Sequence, residues 1–354
     1  MSVSIETYNK PNSRINYIDG LRGFTMLLVV LGHVMNTSFH IVGYNSTLGS
    51  IILTFRMPMF FFISGYIAYK AIKYWTPTNY ICMLKKKSII QIIPATIFFS
   101  LFCIYNGISP IYKIQSGFAE YWFTIVLFEF LFIYYTISLI CCLTNKLIQD
   151  IGLIIISIIG IMVLAINRGE GYFWDILCLE NFCKYFQFFT LGILCKKYNT
   201  KFISLINYDK FRATAIIIFI ISLVIYFNDY IKVHHIYVYK AVRDIIIRYS
   251  ALFIIFTFFY HNRSFFDSNN RIKKTLLYIG KRTLDIYLLH YFFIPDLTIL
   301  KPYIEPTNMM VIQLAISLTI SSLIIGFSLF ISNIIRTSNF LGHYLFGAKI
   351  YNDV

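Results

Sequence analysis

Residues 17–36 read YIDGLRGFTMLLVVLGHVMN, a run long and apolar enough to span a bilayer that nevertheless carries Asp19, Arg22 and His33. A charged side chain at such depth costs about 2.5 kcal/mol or more on insertion scales, so those retained there face a bundle interior and serve a pathway or a reaction. Arg22 and His33 are eleven residues apart. At 3.6 residues per turn this returns them to within roughly 20° of one helix face, about 16 Å apart along the axis. Asp19 lies one turn before Arg22 on the same stripe. The spacing reads as one wall of an intramembrane active site.

The rest of the chain fits that setting. Its 354 residues are 58% hydrophobic and 19% aromatic with only 13% charged, too apolar for a soluble globular protein. An all-α, polytopic membrane bundle follows. The polar first sixteen residues lack the apolar run and small-residue cleavage site of a removable signal, so the first span is expected to remain. Apolar runs predict about ten transmembrane helices, near 17–36, 48–70, 89–107, 121–143, 150–167, 182–195, 213–231, 245–261, 283–300 and 309–335. The connections, 262–282 among the longest, are too short for a soluble domain. The expectation is therefore a single membrane domain over 1–354, with tails at 1–16 and 336–354.

The net charge of +15 raises the question of a nucleic-acid partner. Its distribution answers against one. Alternate connections hold the clusters, such as Lys85 to Lys87 and Arg271, Lys273 and Lys274, while the others hold only Lys113, Arg168, Lys232, Lys240, Arg243 and Lys301. This positive-inside pattern places both termini in the cytoplasm. The seven cysteines show no C-x-x-C pair; Cys178 and Cys183, flanking an outer loop, stand as candidate disulfide partners. His234 and His235 are adjacent with no third ligand at a metal-like spacing, so no metal site is read.

Chemistry-bearing residues recur elsewhere in apolar context. The second span, around TFRMPMFFFISGY, holds Arg56, a helix-kinking Pro58, and Ser64 beside Gly65, which permits close helix approach. Arg56 is either a site residue or half of a helix-tying ion pair to Asp19 or Glu129. Lys85 to Lys87, before the third span, serve topology and also suit anionic phosphates. Glu129, two turns inside the fourth span, is either functional or a protonated acid hydrogen-bonded in the bundle. Lys184 and Arg248 are isolated cations expected either to snorkel or to pair with the outer-loop acids Glu180 and Asp244. IGKRTLDIYLLHYFFIP in the ninth span adds Asp285, Tyr287 and His290, and His290 reads as a cavity residue or as a ring bonded to a nearby carbonyl. The Ser- and Ile-rich tenth span reads as scaffold.

Three of these segments together resemble the acyltransferase family 3 membrane proteins: DGLRGFTMLLVVLGHV with its Arg22-x10-His33 spacing, MPMFFFISGY, and IGKRTLDIYLLHYF. The resemblance covers essentially the whole chain. It implies a multi-pass protein of the bacterial inner membrane that transfers an acyl group, most often acetyl from acetyl-CoA, to a sugar hydroxyl of a surface glycan or its lipid-linked intermediate. No bound cofactor is implied; acyl-CoA is a substrate. One departure concerns the donor. Where the family carries R-x-x-R before the proline of the third span, this chain has KKKSIIQIIP, with Lys86, Lys87 and Gln91 as the expected donor-binding residues. Lysine lacks arginine's bidentate fork, and Gln91 lacks charge.

The residues suit the chemistry. A hydroxyl becomes a nucleophile when a base takes its proton, and neutral imidazole is matched to that task near pH 7, so His33 is the expected base or a transient acyl carrier. Arg22 and Arg56 are expected to hold phosphates or the thioester oxygen, with Asp19, Ser64, Glu129 and His290 supporting the cavity. The rival reading is a transporter or flippase for a glycan-lipid or anionic substrate, with the same charges lining a path.

Overall fold

The computed structural model describes residues 15–39, 47–69, 75–115, 117–141, 146–166, 171–227, 237–300 and 310–348. These residues form helices and no strand. A chain crossing hydrocarbon must satisfy its backbone groups within each segment, and the helix does so. The elements are α1 (Asn16–His33), α2 (Thr47–Ala68), α3 (Pro77–Lys87), α4 (Ile93–Tyr105), α5 (Pro110–Ile114), α6 (Trp122–Ile140) and α7 (Lys146–Ile166). They continue as α8 (Tyr172–Ile176), α9 (Leu179–Lys197), α10 (Asn199–Asn207), α11 (Asp209–Phe227), α12 (Tyr237–His261), α13 (Arg271–Lys281), α14 (Thr283–Leu289), α15 (Met310–Ile335) and α16 (Asn339–Phe346).

Among the described residues, seven stretches are long and apolar enough to cross a membrane: 16–38, 49–68, 77–105, 122–140, 147–166, 209–227 and 311–335. The protein is a multi-pass membrane helical bundle. Two expected spans correspond to helices of crossing length with more charge. α9, 19 residues, extends the expected 182–195 at both ends, and α12 has 25 residues. Arg248 on α12 lies 4.0 Å from Asp244, as its spacing suggested. α2 runs unbroken through Pro58. The third span begins earlier than expected, because α3, a π-helical turn at Ser88–Ile92 and α4 form one continuous helix that includes Lys85 to Lys87.

The expected ninth span, 283–300, is corrected. Arg282 leaves the helical region (φ −114°, ψ 21°) and separates α13 from α14. After Leu289 the chain tightens into a 3-10 turn at His290–Phe293, and Ile294 is extended (ψ 111°). Pro295 explains that stop, since proline disfavours helix in the residue before it. The stretch read as a connection, 262–282, contains α13. Its apolar side, with Leu277, Ile279 and Gly280, is buried, while Arg271 and Lys274 are exposed.

The expected C-terminal tail is corrected as well. α16 folds back so that Phe346 stacks on Phe98 of α4, with ring centroids 5.8 Å apart. Arg336 donates to the Phe346 carbonyl (3.2 Å) and grips buried Asp285 through Nε and Nη2, each at 2.8 Å. Ser332 and Arg282 complete that carboxylate's partners. Cys178 and Cys183 are free thiols rather than a disulfide. His234 and His235 lie outside the described residues.

α1 sits at the centre, packed by α2, α12, α13, α14 and α15. Lipid is as apolar as leucine, so such packing depends on close backbone approach rather than on water exclusion. Two contacts are bare of side chain. Gly23 of α1 lies against the Leu276 carbonyl while Gly280 of α13 lies against the Asp19 carbonyl. Between α2 and α9, Gly65 meets the Phe189 carbonyl and Gly192 the Phe62 carbonyl. α15 buries a stripe of Ser317, Ser321, Ser328 and Ser332, consistent with its expected scaffold role.

Candidate active site

His33 ends α1, where the helix widens into a π-helical turn at Val34–Ser38. Such turns recur at functional sites because the extra residue re-aims neighbouring side chains. The residue before it makes the site possible. Gly32 leaves the space that the Arg56 guanidinium occupies, since a Cβ there would overlap Nη1. Arg56 reaches across from α2 and donates from Nη1 to the Val29 carbonyl at 3.0 Å. Among the described residues it forms no ion pair, with Asp19, Glu129 or any other acid.

The opposite wall comes from the 3-10 turn at His290–Phe293 and from the start of α6. The Tyr291 hydroxyl lies 3.0 Å from His33 Nε2. His290 stands behind, its ring centroid 4.1 Å from that of Tyr291 and 5.4 Å from that of His33. Nδ1 of His290 is 3.0 Å from the Ile286 carbonyl and 2.8 Å from that of Tyr287. Carbonyls only accept, so Nδ1 carries the proton and the ring finishes α14. Its Nε2 is buried without a partner. Two tyrosines clamp α14 to the turn Ala119–Tyr121 that precedes α6. Tyr121 donates to the Leu288 carbonyl (3.1 Å); Tyr287 donates to the Glu120 carbonyl (2.9 Å) and accepts from the Phe123 amide (3.2 Å).

The clamp closes a cavity of about 40 Å³ lined by His33, Arg56, Glu120, Tyr287, Tyr291 and Trp122, with methionine and phenylalanine side chains between them. It has room for a water or two and is partly open, since His33, Arg56, Glu120, Trp122 and Tyr291 are each part-buried. An imidazole able to take a proton and a guanidinium with unused donors therefore face one confined space. That pairing suits attack by a hydroxyl on a carbonyl whose oxygen gains negative charge.

Comparison with protein families decides the chemical class: a profile described as an acyltransferase domain, acyltransferase family 3, matches residues 15–331. The chain belongs to acyltransferase family 3. It is accordingly an acyl-transfer enzyme of the membrane. Neither a curated protein nor a solved structure matches it.

Within this acyltransferase the expected site residues separate into two groups. His33 and Arg56 line the cavity, with His290 directly behind. Asp19 and Arg22 sit at the other end of α1. Arg22 Nη1 is 3.7 Å from Asp19 Oδ1, and Nη2 donates to Thr283 at 2.8 Å. Ser64 lies outside the cavity lining and donates to the Phe60 carbonyl of its own helix at 2.8 Å. Glu129 also lies outside it, two turns beyond Trp122 along α6, with Oε2 buried and unpartnered. Lys86 and Lys87 close α3, and Gln91 is buried in the π-helical turn with Oε1 unpartnered.

Sequence reasoning passed over Glu120, Tyr291 and Trp122 as site residues. Tyr291 neighbours His290 and carries no charge to mark it. Glu120 falls just before the apolar run of the fourth span.

Tyr291→Phe tests the contact to His33. It keeps the ring in contact with His290 and removes one hydrogen bond, worth about 1 kcal/mol. The expected result is acyl transfer lowered by about five- to tenfold with donor KM unchanged, checked by the rate of acyl transfer in membranes with matched expression. An unchanged rate would leave the hydroxyl without a part in holding His33.

Proposed function

We propose that this enzyme is an O-acyltransferase of the bacterial inner membrane that moves an acetyl group from acetyl-CoA to a hydroxyl of a surface glycan or its lipid-linked intermediate. The single observation that carries the reading is the convergence of His33 and Arg56 on one small cavity in an acyltransferase family chain. His33 takes the hydroxyl proton as the oxygen bonds to the thioester carbon. Arg56 holds the carbonyl oxygen while its charge grows. The C–S bond then breaks, and the imidazolium returns its proton to the departing thiolate, giving free CoA and an ester.

Arg22, about 16 Å from His33 along α1, is placed to hold the donor's phosphates, a distance comparable to the reach of the pantetheine arm. Lys86, Lys87 and Gln91 extend that donor end. With the N-terminus in the cytoplasm, as the charge distribution predicts, the donor enters from the cytoplasmic side and the acceptor hydroxyl meets it from the outer leaflet. The proposal takes the chain as one membrane domain, a reading supported by a single buried apolar cluster that includes both Ile18 and Phe346.

The test compares surface glycan from cells with and without the chain, weighed before and after mild base. A base-labile mass of one acetyl per acceptor unit, present only with the chain, is expected. Identical glycan masses, with glycan export altered instead, would overturn the reading in favour of a transporter.

A further inference from the structure

Glu120 and Arg56 line the same cavity without touching each other. Oε2 of Glu120 is buried with no partner, and no ion pair joins it to Arg56 or to any other cation among the described residues. Opposite charges attract, and a buried polar atom left unpartnered is a rare and costly feature that calls for a reason. Here the backbone supplies what holds them apart. Tyr121 and Tyr287 fix the turn that carries Glu120 onto α14, while Gly32 and the Val29 carbonyl fix the guanidinium against α1. The two charges are therefore held separately on the cavity lining, Glu120 offering an acceptor and Arg56 donors.

That arrangement selects a chemistry. An anion is drawn to Arg56 and repelled by Glu120, and a cation the reverse. A neutral hydroxyl gives its proton in a hydrogen bond to the Glu120 carboxylate and leaves Arg56 to the thioester carbonyl oxygen. Trp122 beside Glu120 adds an aromatic face suited to the C–H side of a ring bearing hydroxyls. We infer that Glu120 anchors a second, non-reacting hydroxyl of a neutral polyhydroxyl acceptor, and so selects which hydroxyl reaches His33. This rests on the O-acyltransferase reading above. Glu120 is thus an acceptor-binding and position-selecting residue, separate from the donor end at Arg22.

Two variants, Glu120→Gln and Glu120→Asp, test this in two measurements. Ester content and ester position on the surface glycan, by mass and by nuclear magnetic resonance, report the acceptor. Thermal stabilisation of the purified, membrane-reconstituted protein by acetyl-CoA reports the donor, because a ligand that binds only the folded state raises its stability. For Glu120→Gln the expected result is ester content lowered at least about tenfold, the low end for a hydrogen bond to a charged group, or ester moved to another hydroxyl, with acetyl-CoA stabilisation as in the unchanged protein. Glu120→Asp, which keeps the charge with a shorter reach, is expected to fall between the two and covers the case in which the glutamine variant does not fold.

Wild-type ester content and position in both variants would overturn the inference. Loss of acetyl-CoA stabilisation in a folded variant would overturn it too, by moving Glu120 to the donor. Absence of ester with the unchanged protein is a different result, which strikes the O-acyltransferase reading itself.

Discussion

Replacing His33 by alanine is expected to lower acyl transfer by about 10²–10⁴-fold, the range that a positioned general base contributes, while leaving membrane yield and acetyl-CoA stabilisation near those of the unchanged protein. The imidazole ends α1 beside the cavity and is touched by Tyr291 and His290 rather than by a load-carrying ion pair. Its loss therefore removes a proton acceptor without unlocking the bundle. His33→Gln separates chemistry from contact, since the amide still bonds Tyr291 but takes no proton, and its rate should be as low as that of alanine. His290 is not expected to take over, because its ring lies outside the cavity lining, behind Tyr291, and its Nε2 is buried. CoA release measured at saturating donor decides the matter. Activity within fivefold of the unchanged enzyme would remove His33 from the reaction.

The largest effect on stability is expected at Gly280. A Cβ there meets the Asp19 backbone carbonyl of α1, which cannot swing aside as a side chain can. Forcing methyl groups into a packed core costs about 1–3 kcal/mol and more when the backbone must move. Gly280→Ala is thus expected to cost about 3 kcal/mol and Gly280→Leu to prevent accumulation of folded protein. The displaced α1 also carries Arg22 and His33, so residual Gly280→Ala protein should lose activity beyond its loss of yield. Gly326, in α15, is the control. Nothing lies within 4 Å of a Cβ at that position, and alanine there favours the helix by up to about 1 kcal/mol. Detergent-extracted yield and thermal stability of the three variants check the ordering; equal stability of Gly280→Ala and Gly326→Ala would remove the backbone contact as a determinant.

What could be read in the sequence was whatever interrupted an apolar period. Asp19, Arg22 and His33 stood out because ionisable groups in a spanning run are costly and because one helix repeat put them on a stripe. Arg56 stood out likewise, although its surroundings did not. The space for its guanidinium depends on Gly32 in another helix. The break within the ninth span was hidden by the uniform apolar composition of 283–300, and Pro295 was the one local sign of where the helix would end. α13 was hidden for the opposite reason. Its lysines and arginine read as a loop, whereas their spacing leaves an apolar face toward α1. Glu120 falls just outside the apolar run of the fourth span, where a charge is ordinary. Its place in the site is set by hydrogen bonds between segments remote in sequence, which no local pattern encodes.

The bare glycine contacts and the serine stripe of α15 also bear on temperature. Helices that meet through backbone and small side chains within lipid release little ordered water when they associate, so their union lacks the heat-capacity signature of hydrophobic burial. Stability resting on contact of this kind does not fade on cooling as a water-excluding core does. The bundle is therefore suited to hold its shape across a wide range of growth temperatures, with the fluidity of the surrounding lipid, rather than the protein's own cohesion, setting the lower limit for acyl transfer.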